Sequence, residues 1–176
     1  MSAVAAASVD AWLGELALEP LERAERDGVA SWDLQLDGRR RADVRVTLIL
    51  DPATGLLCWV HYAPPLNDTF RVSYRQLLRW NDELPFVKFA LGADEQPVLA
   101  AEIPLAGLDR DALGLAVARL LAVCDLLLAE SVRWLWPGAK APPTPSRPLR
   151  PSPVLDRYRA ALGELGDDVA KAPPTR

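Results

Sequence analysis

Apolar residues recur at three- and four-residue spacing between Leu108 and Trp136, with Leu113, Ala116, Val117, Leu120, Leu121, Cys124, Leu127 and Leu128 along one side. That period predicts a long helix. Asp109 stands where its carboxylate can cap the free amides of the first turn, and Asp111 suits the helix dipole. The reverse side is also largely apolar: Leu115, Ala118, Ala122, Val123 and Leu126 leave mainly Arg119, Asp125, Glu130 and Arg133 for water. A helix of about 25 residues is roughly 38 Å long, and one layer of sheet cannot hide its whole circumference. A second layer or a partner subunit is therefore expected. Arg119 and Asp125 break the run too early for a membrane span of about 20 residues. The opening MSAVAAASVDAW lacks the basic cluster and apolar core of a secretory signal, so a soluble cytoplasmic protein is expected.

Upstream, Trp12, Leu13, Leu16 and Leu21 set against Glu19, Glu22, Arg23 and Glu25 predict a first amphipathic helix over residues 9–26, kinked or split into two short helices at Pro20 and ended by Asp27-Gly28. The period then changes to two. Trp32, Leu34 and Leu36 alternate with Asp33, Gln35 and Asp37, DGRRR turns around Gly38, and Val44, Val46, Leu48 and Leu50 alternate with Arg45 and Thr47 on the return strand. DPATG leads into a third strand, Leu56 to Tyr62, apolar on both faces. Pro64-Pro65 stops the meander. A second helix is expected behind Ser73, which has Gln76 at capping-box spacing. Strands over 86–91 and 97–103 flank the GADEQ turn, and the long helix follows. Hairpin-linked strands with helices kept apart indicate an α+β fold: helix, three-stranded antiparallel meander, helix, two strands, long C-terminal helix.

Beyond Trp136 the pattern lapses. Seven prolines in 17 residues, at 137, 142, 143, 145, 148, 151 and 153, predict an extended or disordered stretch. The spacing of Pro142, Pro145, Pro148 and Pro151 reads as a plain spacer or as a PxxP ligand. Ser152-Pro153 can open a short helix carrying Leu155, Tyr158, Leu162 and Leu165. The organisation is thus a domain at 1–136, a proline-rich linker at 137–153 and a short helix and tail at 154–176.

Composition and charge narrow the chemistry. Half of the 176 residues are apolar, enough for an ordinary core, and the net charge of -4 argues against general affinity for phosphates. Cys58 and Cys124 fall in apolar elements and read as buried thiols, a disulfide between them being the alternative. The single histidine, His61, lies between Val60 and Tyr62; Asp51 and Asp68 flank its strand only loosely, without the context of a catalytic triad. One histidine and two separated cysteines form no zinc ligand set, and Asp109 and Asp111 read as helix-start residues. No catalytic residue, metal or cofactor is expected. Arg39, Arg40 and Arg41, with Arg45, Arg71, Arg75 and Arg79, make a basic strip if the first hairpin and second helix are neighbours. Together with Trp32 and Trp80 such a strip would suit single-stranded nucleic acid; otherwise it is a solvated turn and a wet helix face. Six tryptophans are many for this length, and Trp134 and Trp136 read as packing anchors against the sheet end or a partner.

The run LLRWNDELPFVKFAL, residues 77–91, followed by VLAAEIPLAGLDRDAL, resembles the YbjN-like family of bacterial proteins. The resemblance covers roughly residues 10–136 and is most specific at Asn81, Leu84-Pro85-Phe86, Lys88, Phe89, Glu102, Pro104 and Leu108. That family is similar in fold to the small dimeric chaperones of type III secretion, and its members are loosely linked to stress response and regulation. The resemblance implies a non-enzymatic homodimer that holds an extended segment of a partner protein by groove packing or strand addition. The proline-rich tail departs from the secretion chaperones. Trp32, Leu34 and Trp59 are the expected partner contacts, and Leu120, Cys124 and Leu127 the expected dimer or core contacts. The rival reading is a nucleic-acid-associated protein that binds through Arg39, Arg40, Arg41, Arg75 and Arg79, or a protein partner that itself handles nucleic acid.

Overall fold

The period-two segments form a sheet with one face closed by the long period-3.6 segment and the other open among the described residues. The computed structural model describes residues 6–63, 71–93, 95–135 and 145–163, with the helix path alone for 126–135. Helix α1 (Ala6–Glu15) precedes strands β1 (Pro20–Arg26), β2 (Val29–Leu36), β3 (Val44–Asp51) and β4 (Gly55–His61). Helix α2 (Arg71–Glu83), strands β5 (Lys88–Leu91) and β6 (Pro97–Pro104), a 3-10 turn at Leu105–Gly107 and the long helix α3 (Arg110–Leu135) follow. Two short helices, α4 (Pro153–Arg157) and α5 (Arg159–Leu162), complete the described chain. The six strands make one antiparallel sheet in the order β1-β2-β3-β4-β6-β5. The α+β layout is the expected one, with a strand added at the outer edge.

That strand corrects the first helix. LERAER is rich in helix formers, but Pro20 cannot sit inside a helix without losing a hydrogen bond and clashing with the preceding turn. Asp27 and Gly28 both take left-handed φ angles, 52° and 80°, as a type I′ hairpin turn requires, and Arg26 pairs with Val29 across it. Asp-Gly therefore joins two strands instead of ending a helix. Asp10 of α1 fastens the hairpin: it accepts from Trp32 Nε1 at 2.6 Å and from Arg23 Nε at 3.2 Å.

Register aligns the closed face row by row. Ala30, Trp32 and Leu34 stand opposite Leu50, Leu48 and Val46. Leu56, Cys58 and Val60 extend the rows across β4, and Ala101 and Leu99 across β6. All of these side chains are buried in one core with those of α3, which packs against β4 and β6. From Leu113 to Asp125 every residue of α3 is buried except the half-buried Leu115 and Arg119. Burying one large aliphatic side chain contributes roughly 1.5–3 kcal/mol, so this helix anchors the core. Its reverse side is covered by α1, α2, α4 and α5 of the same chain. The second layer expected for α3 is thus intramolecular along the residues whose side chains are described.

Asp109 caps α3, its Oδ1 accepting from Ala112 N at 2.8 Å. Ser73, expected as a cap, is instead buried within α2, which begins two residues earlier at Arg71. The family-like run 81–89 is a helix-to-strand clasp. The Asn81 side chain exchanges hydrogen bonds with the Phe89 backbone (3.0 and 2.6 Å), and Lys88 Nζ donates to the Asn81 and Leu84 carbonyls near the end of α2. Phe86 takes a φ of 65°, so β5 starts at Lys88, later than the alternation suggests. Pro64-Pro65, Asp68, Trp136, Leu165 and the side chains of Leu127 and Trp134 lie outside the described residues.

Candidate interaction site

Two buried carboxylates meet the turn between β2 and β3. Gly38 N donates to the Arg41 carbonyl at 2.8 Å, closing the turn and aligning three successive amides. Asp125 Oδ2 accepts from Arg39 N at 2.5 Å, and Oδ1 accepts from Arg40 N and Arg41 N at 3.0 Å each. Asp125 was expected in water and is fully buried. Burial pushes its pKa up, and the three amides pull against that shift. A Cβ at Gly38 would collide with this carboxylate, which is why the turn carries glycine.

Asp37 is the second carboxylate, its side chain fully buried. It accepts from Arg147 Nη1 at 2.6 Å and Nη2 at 2.9 Å, from Arg150 N at 2.7 Å and Nη2 at 3.0 Å, and from Asp43 N at 2.9 Å. The Arg147 guanidinium, opposed by burial and helped by Arg150, holds Asp37 well below the usual carboxylate range. Asp43, at a φ of 55°, also accepts from Arg147 Nη2 at 2.6 Å and Arg150 Nη2 at 3.3 Å. Residues 145–152 of the proline-rich stretch, outside helix and strand and bent at Ser146 and Arg147, are seated on the body. Beyond them Val154, Leu155, Tyr158 and Leu162 are buried where α4 and α5 meet α3. Tyr158 Oη donates to Asp111 at 2.7 Å, and a Cβ at Gly114 would lie 2.8 Å from Tyr158 Cζ.

The expected contact residues divide between the two faces of the sheet. Trp32 and Leu34 are core side chains at 1% and 0% exposure, because their face of the sheet is the one α3 covers. Leu120 and Cys124 are equally buried in that core; Leu127 lies where no side chain is described. Trp59 points the other way. On the open face it lies between Thr47 and Ala100, with Ile49 and Leu57 nearby, all half-buried. Its ring lies 4.8 Å from that of His61, and its Nε1 is buried without a hydrogen-bond partner among the described residues. Arg45, His61, Lys88 and Glu102 are exposed around it.

The basic strip is partly engaged within the fold. Arg39 Nη2 pairs with Asp156 at 3.1 Å, and Arg41 Nη1 donates to the Tyr62 carbonyl at 3.0 Å with its guanidinium over the Tyr62 ring. Arg75 and Arg79 are exposed on α2. Cys58 and Cys124 are free and buried, and burial pushes their thiols up to about 12 and about 11. They are protonated at neutral pH and poor nucleophiles. Among the described residues no group of three or more His, Cys, Asp or Glu is placed to hold a metal ion, and no helix is long and apolar enough to cross a membrane.

Asp125 and the arginine pair of the tail are what sequence reasoning missed. Their signals were an acidic residue inside an apolar helical run and the repeat Arg-Pro-Leu-Arg-Pro at 147–151. No curated protein matches the chain. Residues 5–130 match the family model YbjN, described as "Putative bacterial sensory transduction regulator". With most of its length inside that match, including the Asn81–Lys88 clasp and the capped start of α3, the chain belongs to the YbjN family.

Proposed function

We propose that this protein is a regulator that works by holding a segment of a partner protein rather than by catalysis. The family description supports the regulatory half. The observation that carries the binding half is the open face of the sheet, where Ile49, Leu57 and Trp59 form an apolar centre inside a charged rim. An indole N–H left without an acceptor costs roughly 1–3 kcal/mol, and turning the Trp59 indole out towards a peptide carbonyl would recover that loss. Tryptophan in such a setting is a typical binding anchor. The occupant is an extended apolar segment, and the rim charges set its direction. Homodimerisation would use this face as well, since Leu120 and Cys124 of α3 are enclosed.

A photo-crosslinking residue placed at position 57 of the full chain tests this in cells. The expected product is an adduct with one other protein, lost when Trp59→Ala is added while the circular dichroism spectrum stays unchanged. Adducts only with a second copy would make the face a dimer interface. Absence of adducts would overturn the reading.

A further inference from the structure

The tail occupies a second surface, separate from the open sheet face. Its body side is a built socket. Asp43 N–H holds the Asp37 carboxylate, and residue 43 sits in the left-handed region, so the two carboxylates are close enough for Arg147 Nη2 to bridge them. Like charges at that separation repel unless a cation lies between them, and a guanidinium fork matches two carboxylates better than an ammonium does. Ahead of the buried residues Val154, Leu155 and Tyr158, the tail is held through side chains and one backbone amide rather than through strand pairing. Residues 145–152 pair with no strand, and Arg147 and Arg150 are 36% and 51% exposed, within reach of screening by salt. Open clefts of about 300 and 250 Å³ flank residues 150–153.

We infer that the groove between the β2–β3 turn and α3 is a peptide-docking surface held shut by residues 145–162. The partner it fits is a protein segment with two arginines three residues apart, kept out of helix and strand by proline and followed by one apolar helical turn. The chain's own RPLRPSPVLDRY is the resident copy of that chemistry. A tethered segment competes at an effective concentration on the order of millimolar, so a free segment enters when the tail is displaced.

The test uses the full chain and a fluorescent peptide of residues 145–163. Arg147→Ala/Arg150→Ala and, separately, Tyr158→Ala weaken the resident tail and leave the socket intact. Each variant is expected to bind the peptide at least about tenfold more tightly than the parent chain, given that tether. Adding Asp37→Asn should weaken that binding about tenfold. Equal affinity across parent and variants, no binding, or binding indifferent to Asp37→Asn would overturn the inference. Native-state hydrogen exchange on the unaltered chain decides independently of how the variants fold. The amides of Leu155, Asp156 and Tyr158 are expected to exchange at least about tenfold faster than those of β3 and β4, and faster still in salt. Protection equal to that of the central strands would make the tail an integral part of the fold and sink the proposal.

Discussion

Asp37 and Asp125 are both withdrawn from water beside one turn, yet their charges are met in different ways. Asp125 is held by three backbone amides of residues 39–41, donors fixed by the path of the chain. Asp37 is held mainly by two guanidiniums that arrive on a distant segment. The first arrangement is a structural joint between sheet and helix. The second is a contact with a segment that pairs with no strand. Burial alone does not tell the two apart; the origin of the donors does.

The joint should break hardest. Asp125→Ala strands three amides in the interior and is expected to cost about 3–5 kcal/mol in urea unfolding. The denaturant slope should be unchanged. A loss below about 1 kcal/mol would mean that water replaces the carboxylate. Asp37→Asn keeps an acceptor but removes the charge, so its expected cost is smaller, about 1–2 kcal/mol. The accompanying increase in hydrogen exchange should be confined to residues 145–162. A rise spread across β2 and β3 would show that Asp37 belongs to the joint after all.

Acid offers the subtlest separation, because the two shifts have opposite signs. The folded pKa of Asp37 is depressed, so its contribution is complete above the unfolded value of about 3.9 and declines as pH falls from there towards the folded value. The folded pKa of Asp125 is raised, so its titration favours the folded state more as pH falls and less as pH rises through its folded value. Amide spectra recorded from pH 7 to pH 3 should show the tail loosening below about pH 4, while the resonances of residues 39–41 persist. Simultaneous loss of both sets would contradict the assigned signs.

Much of this architecture is legible from spacing alone. The alternation of β2, β3 and β4 and the long period of α3 each point to one element, and Asp109 marks the helix start. Alternation names two faces but not which one a helix will cover, so Trp32 and Leu34 were expected at a surface and lie in the core. β1 was missed because the propensities of Leu21 to Arg26 outweighed Pro20 and the Asp-Gly turn, although both were in view. Asp125 looked solvent-exposed on a helical projection because its partners are 84 to 86 residues away. The docking of Arg147 on Asp37 spans 110 residues, and proline content predicts extension without saying what that stretch touches.

The same β1 strand has a consequence for behaviour at high concentration. It is exposed along its whole length, forms one outer edge of the sheet and carries Glu22, Arg23, Glu25 and Arg26. A bare edge offers unpaired amides and carbonyls on which another molecule's strand can grow. Closely spaced charges of both signs make an incoming strand bury or match each of them, which disfavours casual edge-to-edge stacking. At the other edge β5 is only four residues long. The sheet thus ends in two poor templates for fibre growth, a form of colloidal protection built in at its borders.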